Sequence, residues 1–225
     1  MRNLLFTFTA YIYKLCFILC KNIKLKGCIF AFKLEANSSN KIDIKRKFTH
    51  SSIKINGNNN SVISCGIVQH ASIRIIGNNN KIILKDNCRF SNSELLIRAD
   101  NAEFIIGERS NILEGYFLCQ GNNNYIHIGE DCLFAHNVEI WNSDTHVITN
   151  LEGEIINNSK PVKIGNHVWL GKYVKVLKGV TIGDNSVVGM NSMVTRDIPA
   201  NTINAGIPSR TIRSDINWNK ELITI

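Results

Sequence analysis

VKIGNHVWLGKYVKVLKGVTIGDNSVVGMNSMVT, from Val162 to Thr195, carries an aliphatic residue at every sixth position. The aliphatic residues of this ladder are Ile164, Leu170, Val176, Ile182, Val188 and Val194. Small or β-branched residues stand two positions before each of them, and glycine follows four of them. A period of six fits neither an α-helix, at about 3.6 residues per turn, nor one continuous strand, at about two. It predicts short strands separated by corners, with the aliphatic side chains pointing inward.

Three such sides close a triangular coil of about 18 residues, and stacked coils pair as parallel strands about 4.8 Å apart. Upstream the ladder is less regular. The step of six persists at Ile106, Ile112 and Leu118, and again at Ile128, Phe134 and Ile140. The tetrapeptide GNNN occurs at 57–60, 77–80 and 121–124, each time before a β-rich run. Glycine and asparagine tolerate left-handed turns, so these tracts are predicted to be corners.

These patterns predict an all-β protein built as one parallel β-helix. We expect an N-terminal cap or extension over 1–49, the β-helix over 50–208 and a C-terminal cap over 209–225. A cap is expected because an open coil end is an unpaired strand edge. The rhythm fails between Ile140 and Gly165, in IWNSDTHVITNLEGEIINNSKPVKIG, and we predict an extended loop over 142–161.

Composition and charge leave several partners open. Lysine and arginine number 26 and aspartate and glutamate 18, a net charge of +8 that favours anionic partners. No nucleic-acid-binding signature is present, and GNNN lacks the ending of a phosphate loop, so nucleic acid is not an expected partner. The seven cysteines form no Cys-x-x-Cys pair. They predict neither a disulfide framework nor a metal site, but buried thiols in a reducing cytoplasm.

The apolar N-terminus allows two interpretations. Residues 4–20 are apolar apart from Lys14, and lysines follow at 21, 24 and 26. The stretch is short for a spanning helix, which needs about 20 apolar residues, and no small-x-small cleavage site follows it. Residues 4–26 are therefore expected to cap the fold or to lie against the inner face of the cytoplasmic membrane. We favour the cap.

The C-terminal half resembles the hexapeptide-repeat acetyltransferases. Four elements, IG-x-x-VW-x-G, GV-x-IG, VT-[KR]-DIP and AG-x-P-x-[RK], occur together, in order and at the spacing of that family, within 126–213. The resemblance implies a left-handed parallel β-helix, a homotrimer and acetyl-CoA as donor. SDTHVI at 143–148, the ending IINNSKPVKIG and INW at 216–218 are most similar to O-acetyltransferases of bacterial surface polysaccharides.

His146 on the loop is the candidate general base. A β-helix core needs no histidine-bearing loop, although a corner also tolerates an insertion at small cost. The family carries its catalytic histidine on such an excursion, and Asp144 is close enough in sequence to orient the imidazole. An imidazole can take the proton of a sugar hydroxyl as it attacks a thioester. His136 is the second candidate for this role.

The resemblance also implies the rest of the site. Trp169 matches a tryptophan that lines it, although packing at a trimer interface would also explain an outward aromatic side chain. The donor positions that match are Gly171, Lys172, Met190, Thr195, Arg196, Arg210 and Arg213. Arginine suits phosphate, although each arginine could equally be a solvated surface charge. Lys172 and Met190 depart from the smaller residues of relatives and are expected to crowd or recharge the donor groove.

Three functions remain in competition on the sequence alone. The first is acetyl-CoA-dependent O-acetylation of a hydroxyl on a bacterial surface polysaccharide or its sugar precursor. The second keeps the fold and the donor but acetylates the nitrogen of an amino sugar. The third is a non-catalytic β-helix that binds a surface, which would leave the histidine loop unexplained.

Overall fold

The computed structural model describes residues 4–7 and 22–223. Within these ranges the ordered elements are 25 β-strands joined by turns and bends. Most pair in parallel, each with the strand that lies one coil further along the chain. This arrangement is a parallel β-helix, as the six-residue ladder predicts.

The strands follow one another in chain order. They are β1 (Leu4–Thr7), β2 (Ile23–Leu25), β3 (Ile29–Ala36), β4 (Lys41–Ile44), β5 (Phe48–Asn56), β6 (Ser61–Ser64), β7 (Ile67–Gln69), β8 (Ser72–Ile76), β9 (Lys81–Leu84), β10 (Arg89–Ser91), β11 (Glu94–Arg98), β12 (Glu103–Ile106) and β13 (Asn111–Ile112). The remainder are β14 (Gly115–Gln120), β15 (Tyr125–Ile128), β16 (Leu133–Phe134), β17 (Val138–Trp141), β18 (Val162–Ile164), β19 (Trp169–Leu170), β20 (Lys175–Val176), β21 (Thr181–Ile182), β22 (Val187–Val188), β23 (Met193–Val194), β24 (Ile203–Gly206) and β25 (Ser209–Arg213).

The strands stack into three faces of a prism. Face 1 holds β7, β10, β13, β16, β19, β22 and β24, and face 2 holds β8, β11, β14, β17, β20 and β23. Strands β3 and β5 are long enough to run across both of these faces. Face 3 is the eight-stranded sheet of β2, β4, β6, β9, β12, β15, β18 and β21. The chain turns successively through the 1–2, 2–3 and 3–1 corners, named here by the faces that they join.

The inward side chains form one continuous core. All six aliphatic residues of the C-terminal ladder are at most 2% exposed, so their predicted direction is confirmed. The upstream coils bury larger side chains, including Phe32, Phe48, Phe90, Phe104 and Phe117. Rings of Phe90, Phe104 and Phe117 meet at centroid distances of 5.5 to 6.3 Å. Aromatic rings fill a wider prism than the valines and isoleucines of the last coils do.

The coil length changes along the prism. Hydrogen bonds between equivalent corners span the expected 18 residues from Asn166 to Asp184, but 16 residues in the last coil and 20 and then 22 residues in the upstream coils. One consequence is a correction at Leu118. It keeps the step of six in sequence, yet in β14 it aligns with Leu96 and Trp141, whereas Phe117 aligns with the inward Leu95 and Ile140. The extra residues of the longer coil shift the alternation by one position.

The GNNN tracts form 2–3 corners, which confirms their interpretation as corners. The last asparagine of each of the first two tracts is buried, and Asn40 continues the stack below them. The side chain of Asn60 donates to Asn40 Oδ1 at 3.0 Å, and Asn80 donates to Asn60 Oδ1 at 3.0 Å. This stack of asparagine side chains satisfies buried polar groups that a longer corner would otherwise leave unpaired.

The two ends of the prism are built differently. Parallel coils begin at β2, upstream of residue 50, because β2 and β3 pair in register with β4 and β5 even without a six-residue pattern. At the other end β25 folds back antiparallel onto β24, which covers the last strand of face 1. The segment that follows returns along the 3–1 corner, where Trp218 Nε1 donates to the His167 carbonyl at 2.8 Å. The predicted domain division stays a prediction.

Most of the apolar N-terminal stretch, residues 8–21, lies outside the described residues. Its interpretation as a cap or a membrane contact therefore stays a prediction. The short β1 pairs antiparallel with β3. In the part of the chain that the structure describes, no helix has the length and apolar character needed to cross a membrane.

Candidate active site

The interrupting loop occupies the 2–3 corner between β17 and β18. In the coils below, the same corner is made by the short Asn-rich turns. The coil that carries the loop spans 36 residues, twice the 18 of the coil above it. The loop therefore lengthens one corner and leaves the strands on either side in register. An excursion of this kind can carry chemistry without disturbing the core.

A small polar network fixes the part of the loop that carries His146. Asn157 Nδ2 donates to the His146 carbonyl at 2.8 Å and to Asp144 Oδ2 at 3.0 Å. The oxygen of the same amide accepts from the Ile148 amide at 2.7 Å. The two arms of the loop are thus joined by one side chain, and the imidazole of His146 is left exposed at the surface.

Asp144 is held by a lysine rather than by the histidine. Lys178, in the 2–3 corner after β20, donates to Asp144 Oδ2 and to the Asn157 carbonyl. The hydrogen bond from Lys178 lowers the pKa of Asp144, and the Asn157 amide adds to this effect. Among the described residues the carboxylate makes no hydrogen bond to the His146 ring. The sequence-based suggestion that Asp144 orients the imidazole is therefore not what this chain shows.

The loop is also attached to face 2. Gln120, the last residue of β14, donates its side-chain amide to the Thr145 carbonyl at 3.2 Å. The side-chain oxygen of the buried Asn142 accepts a hydrogen bond from the main-chain amide of Gln120 at 2.7 Å. These contacts fix the loop next to His146 against the strand below. Beyond them the tip is a short antiparallel bridge between Thr149 and Ile155.

Trp169 lies on face 1, not beside the loop. It aligns with Leu133 below and Val187 above, and its side chain is 40% exposed. Trp218 flanks it, with ring centroids 5.8 Å apart. Trp218 also stacks on His167 at 4.3 Å and 9°. The C-terminal segment therefore provides one wall for the exposed indole of Trp169.

Three of the predicted donor residues meet at the 1–2 corner. Gly171 follows β19, and a Cβ at this position would lie 2.7 Å from the Met190 amide nitrogen, so the close approach of the two coils requires glycine. Met190 is 63% exposed, and Lys172 places its Nζ 4.8 Å from the centre of the Tyr173 ring. Lys172 and Met190 thus stand together at this corner, and their expected effect on the donor groove stays a prediction.

The other donor residues belong to the end of the prism. Thr195 and Arg196 follow β23 at the 2–3 corner, while Arg210 and Arg213 lie on β25 over face 1. All four side chains are exposed. None of the three arginines pairs with a carboxylate of another described residue, so their charges are available to an anion.

One chain brings these residues together only in part. His146 projects from the 2–3 corner, whereas Trp169, Gly171, Lys172 and Met190 lie on face 1 and at the 1–2 corner. Face 2 separates the two groups. His136 is exposed at the 1–2 corner, where its carbonyl accepts from the Tyr173 amide at 3.0 Å. The assignment of site residues stays a prediction.

Sequence reasoning missed the residues that hold the site in place. Lys178 looks like one more outward residue of the ladder, and nothing near it in sequence points to Asp144. Asn157 sits in an unremarkable polar run. Trp218 was noticed only through the resemblance of INW. Their roles depend on contacts between distant segments, which a six-residue pattern cannot encode.

Cysteine chemistry has little support in the described part of the chain. Cys65, Cys88, Cys119 and Cys132 are buried, as predicted, whereas Cys28 is exposed, so the prediction of a buried thiol is wrong at that position. Burial raises the pKa of Cys88 and of Cys119 to about 12 and that of Cys132 to about 11. A thiol that keeps its proton is a poor nucleophile. This agrees with direct transfer rather than a covalent acyl-enzyme.

The fold and this loop define a class of hexapeptide-repeat transferases, and comparisons with known proteins agree. The sequence model of the family "Bacterial transferase hexapeptide (six repeats)" matches residues 161–196. Galactoside O-acetyltransferase of Escherichia coli K12 is 47% identical over 88 residues, which cover 38% of this chain and 42% of the relative. The chain spans less than half the length of the first curated relatives that it matches.

Two solved structures extend the likeness over most of the chain. The polySia-specific acetyltransferase NeuO is 27% identical with a TM-score of 0.71, covering 87% of this chain and 86% of NeuO. The polysialic acid O-acetyltransferase OatWY is 31% identical with a TM-score of 0.59, covering 76% of this chain and 92% of OatWY. The chain belongs to the hexapeptide-repeat acetyltransferase family, and the predicted left-handed parallel β-helix is confirmed.

Proposed function

We propose that the protein is an acetyl-CoA-dependent O-acetyltransferase that acts on a hydroxyl of a bacterial surface polysaccharide or of its sugar precursor. The relatives are named for O-acetyl transfer to galactosides and polysialic acid. The observation that carries the proposal is the anchored loop. It is the largest departure from the repeat in the described coils, and it presents His146 to solvent on a network of three side chains.

His146 acts as the general base in this proposal. Its imidazole takes the proton of the acceptor hydroxyl while the oxygen attacks the thioester carbonyl of acetyl-CoA. The new C–O bond forms, the C–S bond breaks, and the imidazolium returns its proton to the leaving sulfur. A base of this kind typically contributes about 10² to 10⁴ in rate. The polar network orients the backbone of the loop, not the ring itself.

Acetyl-CoA fits the exposed residues of the upper coils. Gly171 leaves the 1–2 corner open to the thin pantetheine arm, and Met190 and Lys172 line it. Arg196, Arg210 and Arg213 offer guanidinium groups without carboxylate partners, which suit the phosphates of coenzyme A. Lys172 adds a fourth positive charge near the arm, although it also narrows this part of the groove.

A homotrimer accounts for the separation of the two groups. Threefold association could place the His146 loop of one chain against Trp169 and the donor residues of its neighbour. It would also cover the exposed Trp169 and exclude water from the thioester. The cytoplasm is the proposed location, since reducing conditions suit the four buried thiols.

The experiment measures thiol release from acetyl-CoA with and without glycan fractions of the host. Labelled acetyl-CoA and NMR then identify whether an ester has formed on a sugar hydroxyl. Acceptor-dependent thiol release with a base-labile ester is expected. An acetylated amino group would show that the enzyme is an N-acetyltransferase, and no acceptor-dependent release would contradict the proposal.

A further inference from the structure

A long groove follows the 1–2 corner of the coils below the loop. It encloses about 1060 Å³ and runs from Ala31 to Trp141. The corner residues Ala31, His50, His70, Asn92 and Asn137 all have positive φ. Each coil contributes one corner to the groove. At about 4.8 Å per coil, the five steps between Ala31 and Asn137 give a length of about 24 Å, longer than one monosaccharide.

The groove is lined by polar and apolar side chains, and apolar atoms make up the larger part of its surface. The corner sequences in register, HSS at 50–52, HAS at 70–72 and NSE at 92–94, place the small residues Ser51, Ala71 and Ser93 in successive coils. Gly115 continues this row, because a Cβ there would lie 2.7 Å from the ring of Phe117. The exposed Ser72 and the partly exposed Ser52 can exchange hydrogen bonds with the hydroxyls of a sugar chain. Ser51 and Ser93 are buried and donate to backbone carbonyls.

An aromatic pair closes the end of the groove nearest the loop. Tyr116 and Trp141 stand on adjacent strands of face 2 with ring centroids 5.5 Å apart at 44°. Both are partly exposed. Aromatic side chains of this type combine large apolar area with a polar atom, and they dominate many binding sites. The apolar face of a pyranose ring can pack on such a surface.

The charge of the groove opposes that of the whole chain. Its lining residues include Glu94, Glu114 and Glu139 but no lysine or arginine. Of these three, only Glu139 pairs with a cation among the described residues, Lys175 at 2.7 Å on the side nearest the donor residues. Burial is the main reason that the pKa of Tyr116 is raised, and the charge of Glu94 adds to it. The charge of Arg98 opposes this rise, so the positive charge of the chain reaches Tyr116 from beside the groove although no lysine or arginine lines it.

The groove leads to the candidate base. Trp141 is both the last residue of β17 and the residue before the loop. Strand β14 supplies Gly115 and Tyr116 to the groove and, four positions after Tyr116, the Gln120 side chain that holds the Thr145 carbonyl. A chain lying in the groove would therefore end beside Trp141, on the strand that carries the His146 loop.

We propose that this groove binds the acceptor as an extended glycan chain that carries no acidic groups. The proposal rests on the proposed function, and it separates this chain from its polysialic acid-specific relatives. A polyanion would meet unpaired carboxylates along the groove, with an electrostatic cost that is greatest at low salt. Uncharged sugars meet hydroxyls, amides and an aromatic pair.

Binding to an array of bacterial glycans tests the proposal in the absence of acetyl-CoA. The array carries uncharged, phosphorylated and sialylated chains of matched length, and hits are measured by titration calorimetry. Wild-type protein should bind uncharged chains better than sialylated ones. Trp141→Ala should weaken the uncharged hit about tenfold. The double variant Glu94→Gln with Glu114→Gln should raise the affinity for sialylated chains about fivefold at low salt.

Glu108→Gln is the matched control, since this exposed carboxylate lies at the 3–1 corner. It should change neither affinity. A preference for sialylated chains, absence of binding to every uncharged chain, or equal effects of the control and the double variant would each overturn the proposal. So would a change of oligomeric state in the double variant by light scattering, which would make the groove an interface between copies. Acetyl transfer is measured separately, so glycan binding without transfer contradicts only the proposed reaction.

Discussion

Lys178 anchors Asp144 across 34 positions of the chain, from the corner of one coil to the loop of the coil before it. Its ammonium is largely buried by the loop, with 19% of the side chain exposed, while 41% of Asp144 is exposed. The same ammonium donates to the Asn157 carbonyl at 2.9 Å. A single cation thus ties both arms of the His146 loop to the regular coils.

Removal of this cation should loosen the loop. In Lys178→Met we expect faster hydrogen exchange at the Ile148 and Ile156 amides and a fall in kcat of about tenfold, because His146 loses its fixed position. Exchange is read by mass spectrometry. The control Lys175→Met removes an exposed lysine of the same coil, which pairs with Glu139 and lies outside the loop. Unchanged exchange in Lys178→Met would contradict the anchor.

Acid should release the same anchor. The pKa of Asp144 is lowered from 3.8, so its contribution is complete above the unfolded value and is lost as pH falls through the lowered folded value. Loop protection should therefore be flat from neutral pH to about 5 and fall only below about 3.8. Asp144→Asn should remove this dependence. Loss of loop protection at a higher pH, with the core strands still protected, would argue against the pair.

His146→Ala should lower kcat by about 10² or more while the circular dichroism and melting temperature stay unchanged. The residue is exposed and its ring fills no core space, so a folding defect is not expected. His136→Ala is the matched control, another exposed histidine at a corner. Near-normal turnover in folded His146→Ala, with a loss in His136→Ala, would exchange the two assignments.

Arg196→Ala and Arg210→Ala should weaken acetyl-CoA binding by about 1.5 to 3 kcal/mol each, if each loses a charge-assisted hydrogen bond. Calorimetry with acetyl-CoA measures the change. Arg74→Ala, on the outward side of face 2 in a lower coil, is the control for general positive charge. Unchanged affinity in both variants would reduce these arginines to solvated surface charges.

Mixing two inactive variants tests whether the site is shared. His146→Ala and Trp169→Ala should each be inactive alone, and subunit exchange should restore part of the activity, since some interfaces then hold both native residues. Exchange is followed by mass spectrometry of tagged chains. No recovery despite exchange, or an active monomer by light scattering, would show that one chain builds the whole site.

The ladder made the fold predictable, and its failure made the loop predictable. The six aliphatic residues of the ladder from Ile164 to Val194 all point inward, because a six-residue period fits only a short strand followed by a corner. The same rule is wrong for Leu118, because a coil of 22 residues moves the inward position to Phe117. Asp144 could be placed near His146 from sequence, but its partner Lys178 is set by how two coils stack. Local patterns carry no record of such pairs.

The lower coils are joined to one another by the asparagines of their 2–3 corners. Asn40, Asn60 and Asn80 repeat at 20-residue spacing, and their side chains bond within their own corner or to an adjacent coil, so a whole coil behaves as a removable unit. A duplication of 20 residues in this region would keep the amide ladder in register and add about 4.8 Å to the prism. The loop and the upper coils would be untouched. In this architecture the number of lower coils, and with it the length of the groove, can therefore change without altering the His146 loop and its chemistry.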